Sequence, residues 1–392
     1  MRRALPAAAL TLALASCRTV APPEAARTPE KALEELQPEA FPAFADDLDW
    51  AGLDEALARS QQVLSRLAAV DPGRTLAYGR ERVPVQRALA TLVRFREIAA
   101  ARPAPAELEA ILRREFRVFR STGDGRGSVL FTGYYLPELR GSLEREGPYQ
   151  VPLHRAPDDL VVARMKDFPQ LLSDDLVGRV EEGRLVPYPT RAEIVGGALA
   201  GKGAELCFVD SSVDAFFLEV QGSGLVHLPD GSIRVVTYAG KNGHRFGAIG
   251  AELVRRGALQ RSELSMQAIR AWLAAHPEEQ ADLLATNPSY VFFRFADAPT
   301  GALGVAVQPD RTIAADGRVF PKGGLAFIET ERPADANGGP MRPFSRFVLD
   351  QDAGGAIRTA ARIDLYFGNG TYAESAAGRM RQPGRLYYLL LR

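Results

Sequence analysis

Two carboxylates near the C terminus, Asp352 and Asp364, stand in settings that acid chemistry can use. The run Asp350-Gln351-Asp352-Ala353-Gly354-Gly355-Ala356-Ile357 turns at its glycines, where positive φ or a close backbone approach is easy. It leads through Arg358 into Arg362-Ile363-Asp364-Leu365-Tyr366-Phe367-Gly368. In a strand, Ile363, Leu365 and Phe367 share one face and Arg362, Asp364 and Tyr366 the other. If the apolar set is core, Asp364 projects into a groove beside an aromatic ring, a setting suited to sugar stacking and acid catalysis. Spacing alone also allows, and by itself favours, a solvated Asp on an exposed face.

Other polar clusters point to weaker chemistry. Asp352-Ala353-Gly354 has the look of an aspartic-protease motif, but a paired dyad needs a second copy and none is present. The 4 His show no HExxH spacing and the 2 Cys cannot build a thiolate zinc site, so no metal and no cofactor are expected. His244, in Lys241-Asn242-Gly243-His244, is more in keeping with a structural loop histidine than with a catalytic one. Gly222-Ser223-Gly224 lacks the lysine of a phosphate cradle.

The elements that must position these groups fall into two textures. Leu53, Leu57, Leu64 and Leu67 recur at helical spacing, and a second helical stretch runs from about Pro84 to Glu115, broken near Pro103-Ala104-Pro105. From Phe116 to about Tyr238, short apolar runs between Gly and Pro clusters read as strands: Val129-Leu130-Phe131, Leu206 to Val209, Phe216 to Val220, and Ile233 to Val236. Helices return at about Gly247–Arg256 and Ser265–His276, with Ser265 as N-cap, followed by strands from Tyr290 to Leu390. The expectation is an α+β chain, mostly β, built of barrels rather than a doubly wound sheet.

The 392 residues carry 48 basic and 48 acidic side chains, which gives no support for a nucleic-acid binder. From Met341 onward eight arginines face four acids, a local excess able to attract an anionic polymer. At the other end, Met1-Arg2-Arg3 and the apolar stretch Ala4 to Ala15 read as a secretory signal too short to span a bilayer. Leu14-Ala15-Ser16-Cys17 has the pattern of a bacterial lipobox, so Cys17 is the expected lipidated N terminus after residues 1–16 are removed. The chain then meets the membrane only through that anchor. Residues 17–45, acidic and Pro/Ala-rich at their start, read as a solvated tether.

From Thr132-Gly133-Tyr134-Tyr135 to the C terminus, the sequence resembles the membrane-bound lytic murein transglycosylase A family. The matching segments stand in the family's order: Pro187-Tyr188-Pro189-Thr190-Arg191, Val220-Gln221-Gly222-Ser223-Gly224, Tyr238 to His244, Ser265 to Arg270, Asn287-Pro288-Ser289-Tyr290, and Gly301 to Val305. The resemblance implies a double-psi β-barrel catalytic domain from 46–135 and 302–392, with a three-aspartate region at about 305–392. A smaller β-barrel-like domain, 136–301, is inserted, with helical segments at the N terminus and a substrate groove between the two domains. It implies Asp364 as the single catalytic acid, Asp352 and Asp316 as supporting acids, and Thr132, Tyr134, Gln221, Ser223 and Tyr366 as substrate contacts. The chain departs from the family pattern at Ala353 and at Thr359-Ala360-Ala361, which bears on loop shape.

The implied reaction is exo-acting lytic cleavage of the β-1,4 bond between N-acetylmuramic acid and N-acetylglucosamine in peptidoglycan. Most glycosidases need two carboxylates. Here the C6 hydroxyl of the muramoyl unit closes on its own C1, and an internal nucleophile of high effective molarity lightens the demand on the protein. One carboxyl, protonated at the outset, then acts first as acid and afterwards as base. Two other functions fit the same residues: a wall-binding lipoprotein that does not cut, and a water-using muramidase with Asp352 as second carboxylate. The implied setting is the periplasmic face of the outer membrane, as a monomer on glycan strands, with other wall enzymes as further partners.

Overall fold

The computed structural model describes residues 24–168, 175–337, 339–355 and 357–392. Its main body is a ring of six strands. In ring order these are Arg381–Leu391, Leu325–Pro333, Met341–Asp352, Thr312–Ala314, Arg362–Asn369 and Val129–Leu136, the last pairing back onto the first. Alternation builds it. Ile363, Leu365 and Phe367 face the core, together with Phe327, Phe347 and Leu389 from neighbouring strands. Closure leaves no unpaired edge in the ring. Phe116–Ser121 extends it by pairing with Arg381–Leu391, and Leu33–Leu36 pairs with Phe116–Ser121 in turn.

Two helices cover one side. Leu53–Val70 buries Leu53, Leu57 and Leu64, as their spacing predicts, while Leu67 is only partly buried. Val85–Ala101 inserts Phe95 between Phe116 and Phe347, and Trp50 stacks on Phe347 from the chain's approach to the first helix. Each such side chain removed from water contributes about 1.5–3 kcal/mol. The helical stretch does break at the prolines: one helix ends at Ala101 and the next starts at Pro105.

Ordered packing begins earlier than the tether reading allowed. Ala32 and Leu33 are buried, and the Asp46 carboxylate accepts from both terminal nitrogens of Arg311 at 2.6 and 2.8 Å, an ion pair almost wholly out of water. Within the stretch read as a tether, Glu34 and Glu35 pair with Arg120 and Arg117 of the Phe116–Ser121 strand, and just beyond it Asp47 joins Asp310 in holding the fully buried Arg346.

A second sheet has the order Val291–Ala296, Ile233–Lys241, Ser223–His227, Glu138–Ser142, Glu205–Val209, Val151–His154. Against it lies the helix Ser212–Gln221, which corrects the expectation of a strand at Phe216 to Val220. Ser211 caps it, accepting from the Asp214 N–H at 3.1 Å, and Gly222 ends it with a φ of 84°. Phe216 and Phe217 pack toward the following helices while Leu218 packs on the sheet. Burial on both sides erases the 3.6 period, and the run then reads as a strand. Its Glu219 forms a buried ion pair with Arg191 at 2.6 Å. The helix expected at Ser265 is present as Met266–Ala275, with Ser265 accepting from Ala268 N–H, whereas the helix Gly370–Arg379 interrupts the stretch expected to hold only strands from Tyr290 to Leu390. Among the described residues, no helix is long and apolar enough to cross a membrane.

Candidate active site

The acids meet on the outer face of the ring. Asp364 is the register partner of Thr132 on one side and of Ala314 on the other; Ala314 in turn pairs with Asp352, and Thr132 with Arg381. Directly paired residues point to one face, so Asp352, Ala314, Asp364, Thr132 and Arg381 form a single row across five strands. Ala314, outside the core cluster, is the small residue between the two acids. Two strand spacings separate their backbones, about 9–10 Å.

Asp364 is held from two directions. Thr132 Oγ1 donates to its Oδ1, and the Arg362 guanidinium donates to Oδ1 at 3.1 Å and to Oδ2 at 3.3 Å. Arg362 also reaches Thr132 Oγ1 at 3.3 Å. The Asp364 side chain keeps 17% of its surface exposed, enough to meet a ligand. Gly354 leaves the approach open, since even a methyl there would lie 3.8 Å from Asp364 Oδ2.

Asp352 is saturated instead. Its Oδ1 accepts from the backbone N–H of Ala302 at 2.9 Å and of Ala353 at 2.8 Å, and its Oδ2 accepts from Tyr134 Oη at 2.8 Å. Burial pushes its pKa above the usual carboxylate range, against the pull of those donors. Behind it, Lys322 donates to the Asp352 carbonyl and to the carboxylate of Asp350, whose other oxygen accepts from Tyr388 Oη at 2.9 Å. Asp350 too is raised by burial.

The remaining sequence candidates fall into three groups. Gln221 ends the helix below the second sheet, and its Oε1 accepts from the Tyr135 N–H at 3.1 Å. Ser223, two residues on, shares a hydrogen bond of 2.8 Å with Thr237. Tyr134 and Tyr366 face each other with ring centroids 5.1 Å apart. Tyr366 is only 3% exposed, packed on Leu136 and Val307, so both tyrosines form the floor beneath the acids and not the open stacking surface expected for a substrate contact. Burial and the neighbouring Asp352 hold the Tyr134 hydroxyl well above its usual range, as a donor. Asp316 makes its bonds elsewhere: it accepts from Arg318 at 2.7 and 2.9 Å, and Arg318 holds the Arg358 carbonyl in the loop between the other two acids. Cys17 lies outside the described residues.

The His244 ring donates from Nε2 to the Tyr188 carbonyl at 2.7 Å, and its backbone N–H donates to Asn242 Oδ1 at 3.4 Å. Arg362, which carries the second contact to Asp364, was visible two positions away on the same strand face but was not singled out. Lys322 had no sequence signal, because the turn that brings it under Asp350 and Asp352 spans 28 and 30 residues. Among the described residues no cluster of His, Cys, Asp or Glu is arranged to hold a metal ion.

Residues 130–294 match the model of the MltA specific insert domain and residues 311–390 that of the 3D domain. Over 272 residues the chain is 36% identical to the membrane-bound lytic murein transglycosylase A of Escherichia coli (strain K12), covering 68% of this chain and 67% of that one. It is 34% identical to the protein of the same description from Vibrio cholerae, with the same coverage. Among solved structures it resembles a membrane-bound lytic murein transglycosylase from Agrobacterium tumefaciens, with a TM-score of 0.75 and 31% identity over 92% of this chain and 98% of that one. It also resembles E. coli MltA with bound chitohexaose, with a TM-score of 0.68 and 28% identity over 94% and 97%.

Proposed function

The chain belongs to the membrane-bound lytic murein transglycosylase A family, and from that premise we propose a single-acid mechanism centred on Asp364. The protein is a peptidoglycan lytic transglycosylase. Asp364 gives its proton to the glycosidic oxygen between N-acetylmuramic acid and N-acetylglucosamine. The resulting carboxylate then takes the proton of the muramoyl C6 hydroxyl as that oxygen closes on C1, so the same group serves as acid and base and is restored each turnover. Thr132 and Arg362 orient it and stabilise the carboxylate form between the two steps.

The observation that carries this reading is the contrast between the two acids. Both oxygens of Asp352 already accept hydrogen bonds, two on Oδ1 and one on Oδ2, which hold the carboxylate toward the Ala302 and Ala353 backbone and the Tyr134 hydroxyl. Asp364 retains an exposed edge. A hydrolase needs a second carboxylate able to activate water or attack the sugar, and Asp352 is committed to shaping the loop. Thr132, Gln221 and Ser223 line the groove, Tyr134 and Tyr366 support it from beneath, and Asp316 holds the loop through Arg318. Cys17 carries the lipid that attaches the chain to the periplasmic face of the outer membrane, and cutting proceeds from strand ends.

The test is mass spectrometry of muropeptides released from purified peptidoglycan by the chain lacking residues 1–17, with Asp364→Asn beside it. The wild type releases 1,6-anhydromuropeptides and the variant none. Reducing-end products would assign a muramidase instead. Wall binding without release would leave a non-catalytic lipoprotein.

A further inference from the structure

Next to Asp364 the surface sinks into a pocket of about 440 Å³ whose charged lining is Arg362, Arg379 and Arg381, with no acid among its walls. Thr132 belongs to that wall and also donates to Asp364, so the pocket adjoins the proposed proton donor. The three guanidiniums come from three elements: the Asp364 strand, the last turn of the helix Gly370–Arg379, and the strand Arg381–Leu391. Arg381 is the cross-strand partner of Thr132 on the side away from Asp364.

The partners of these cations are unequal. Arg362 is engaged by Asp364. Arg379 and Arg381 are exposed and, among the described residues, meet no carboxylate or other acceptor. The nearest acid of the same helix, Glu374, is turned away to Tyr135 Oη at 3.3 Å and Arg270 at 3.9 Å. The carbonyl end of the helix accounts for a cation at Arg379, but not for Arg381 on a strand. Gly133, Ala377 and Gly378 form the small-residue part of the pocket wall. Cations gathered round a cavity without a counter-charge repel one another until an anion completes the set.

Given the proposed action on peptidoglycan, the geometry points to a carboxylate subsite for the peptide branch of the muramoyl unit. The glycan backbone is neutral; the acidic groups of such a polymer are the carboxylates of its peptide branches. A planar guanidinium fork matches a carboxylate in bidentate fashion. Seated beside Asp364, the branch would fix the register of the sugar whose bond is to be cut, so the protein would read the peptide while cutting the glycan.

The experiment compares native peptidoglycan strands with the same strands after their peptide carboxylates are coupled to methylamine, which removes charge and leaves the branches in place. Wild type loses about tenfold or more in kcat/KM for anhydromuropeptide release on the amidated strands, the size of a charge-assisted hydrogen bond. The Arg379→Gln/Arg381→Gln chain loses a similar factor on native strands, the two losses do not add, and Arg379→Lys/Arg381→Lys recovers part of it. Equal rates for wild type on both strands, or equal loss by the Gln variant on both, would overturn the subsite. Anhydro products from wild type in either case keep the proposed reaction intact; their absence from native strands would sink that reaction instead.

Discussion

At the scale of single residues, two aspartates in one row of side chains have different surroundings. Asp364 has two side-chain donors, Asp352 two backbone donors and a tyrosine, and both are half-buried. Burial holds the folded pKa of Asp352 above its ordinary value of about 4. Between those two values the folded chain binds more protons than the unfolded one, so this group's stabilising share is complete below the ordinary value and is lost as pH climbs through the window. Asp352→Asn removes the titration, and its melting temperature, followed from about pH 4 upward, therefore falls less than that of wild type. A curve parallel to wild type would show that the Asp352 carboxyl titrates alike in the folded and unfolded chain. Alternation places Asp364 on the face opposite Ile363, Leu365 and Phe367 but does not by itself distinguish a groove from open solvent. The role of Tyr134 was not legible. Its hydroxyl meets Asp352 across 218 residues of sequence, and a tyrosine beside a groove reads as a sugar contact until its partner is known.

At the scale of elements, the site depends on close approach between the Val129–Leu136 strand and the helix that follows Asp364. Gly133 lies between Thr132 and Tyr134, where a methyl would stand 2.6 Å from a ring carbon of Phe367 and 2.8 Å from the Ala377 backbone. Gly133→Ala must push back either the strand or the helix, at about 1–3 kcal/mol for overpacking. Denaturant unfolding should register that loss, and anhydromuropeptide release should fall with it because Thr132 moves away from Asp364; a variant as stable and active as wild type would mean the helix yields freely. Where neighbours supplied one clean face, as for Leu53 to Val70, the element could be read from spacing. The helix Ser212–Gln221 is enclosed by a sheet on one side and helices on the other, so only its Ser211 cap and Gly222 terminator distinguished it from a strand.

At the scale of the whole molecule, the N-terminal segment is part of the barrel and not an appendage to it. Arg311 and Asp46 are 0% and 2% exposed, and Asp46 also accepts from the Phe347 N–H at 3.1 Å. Asp46→Ala leaves a buried guanidinium without its counter-charge, which costs about 3–5 kcal/mol; thermal melting should show a loss of that order, and a shift within error would mean that water reaches Arg311. Composition did not reveal this, since the partner of the buried Asp46 is an arginine 265 residues away.

The ring also fixes when the site can be completed. Thr132 lies in the strand that closes the circle, yet both of its neighbours, Arg362–Asn369 and Arg381–Leu391, are among the last strands of the chain. A ribosome or translocase that has released the first 300 residues has delivered the second sheet but not Asp364, the proposed proton donor, and pairings so distant in sequence form late. Without Arg381–Leu391 the ring is open, and the strand that carries Thr132 loses one of its two neighbours. The ring on whose outer face the two acids stand is complete only once Arg381–Leu391 has paired with the strand of Thr132.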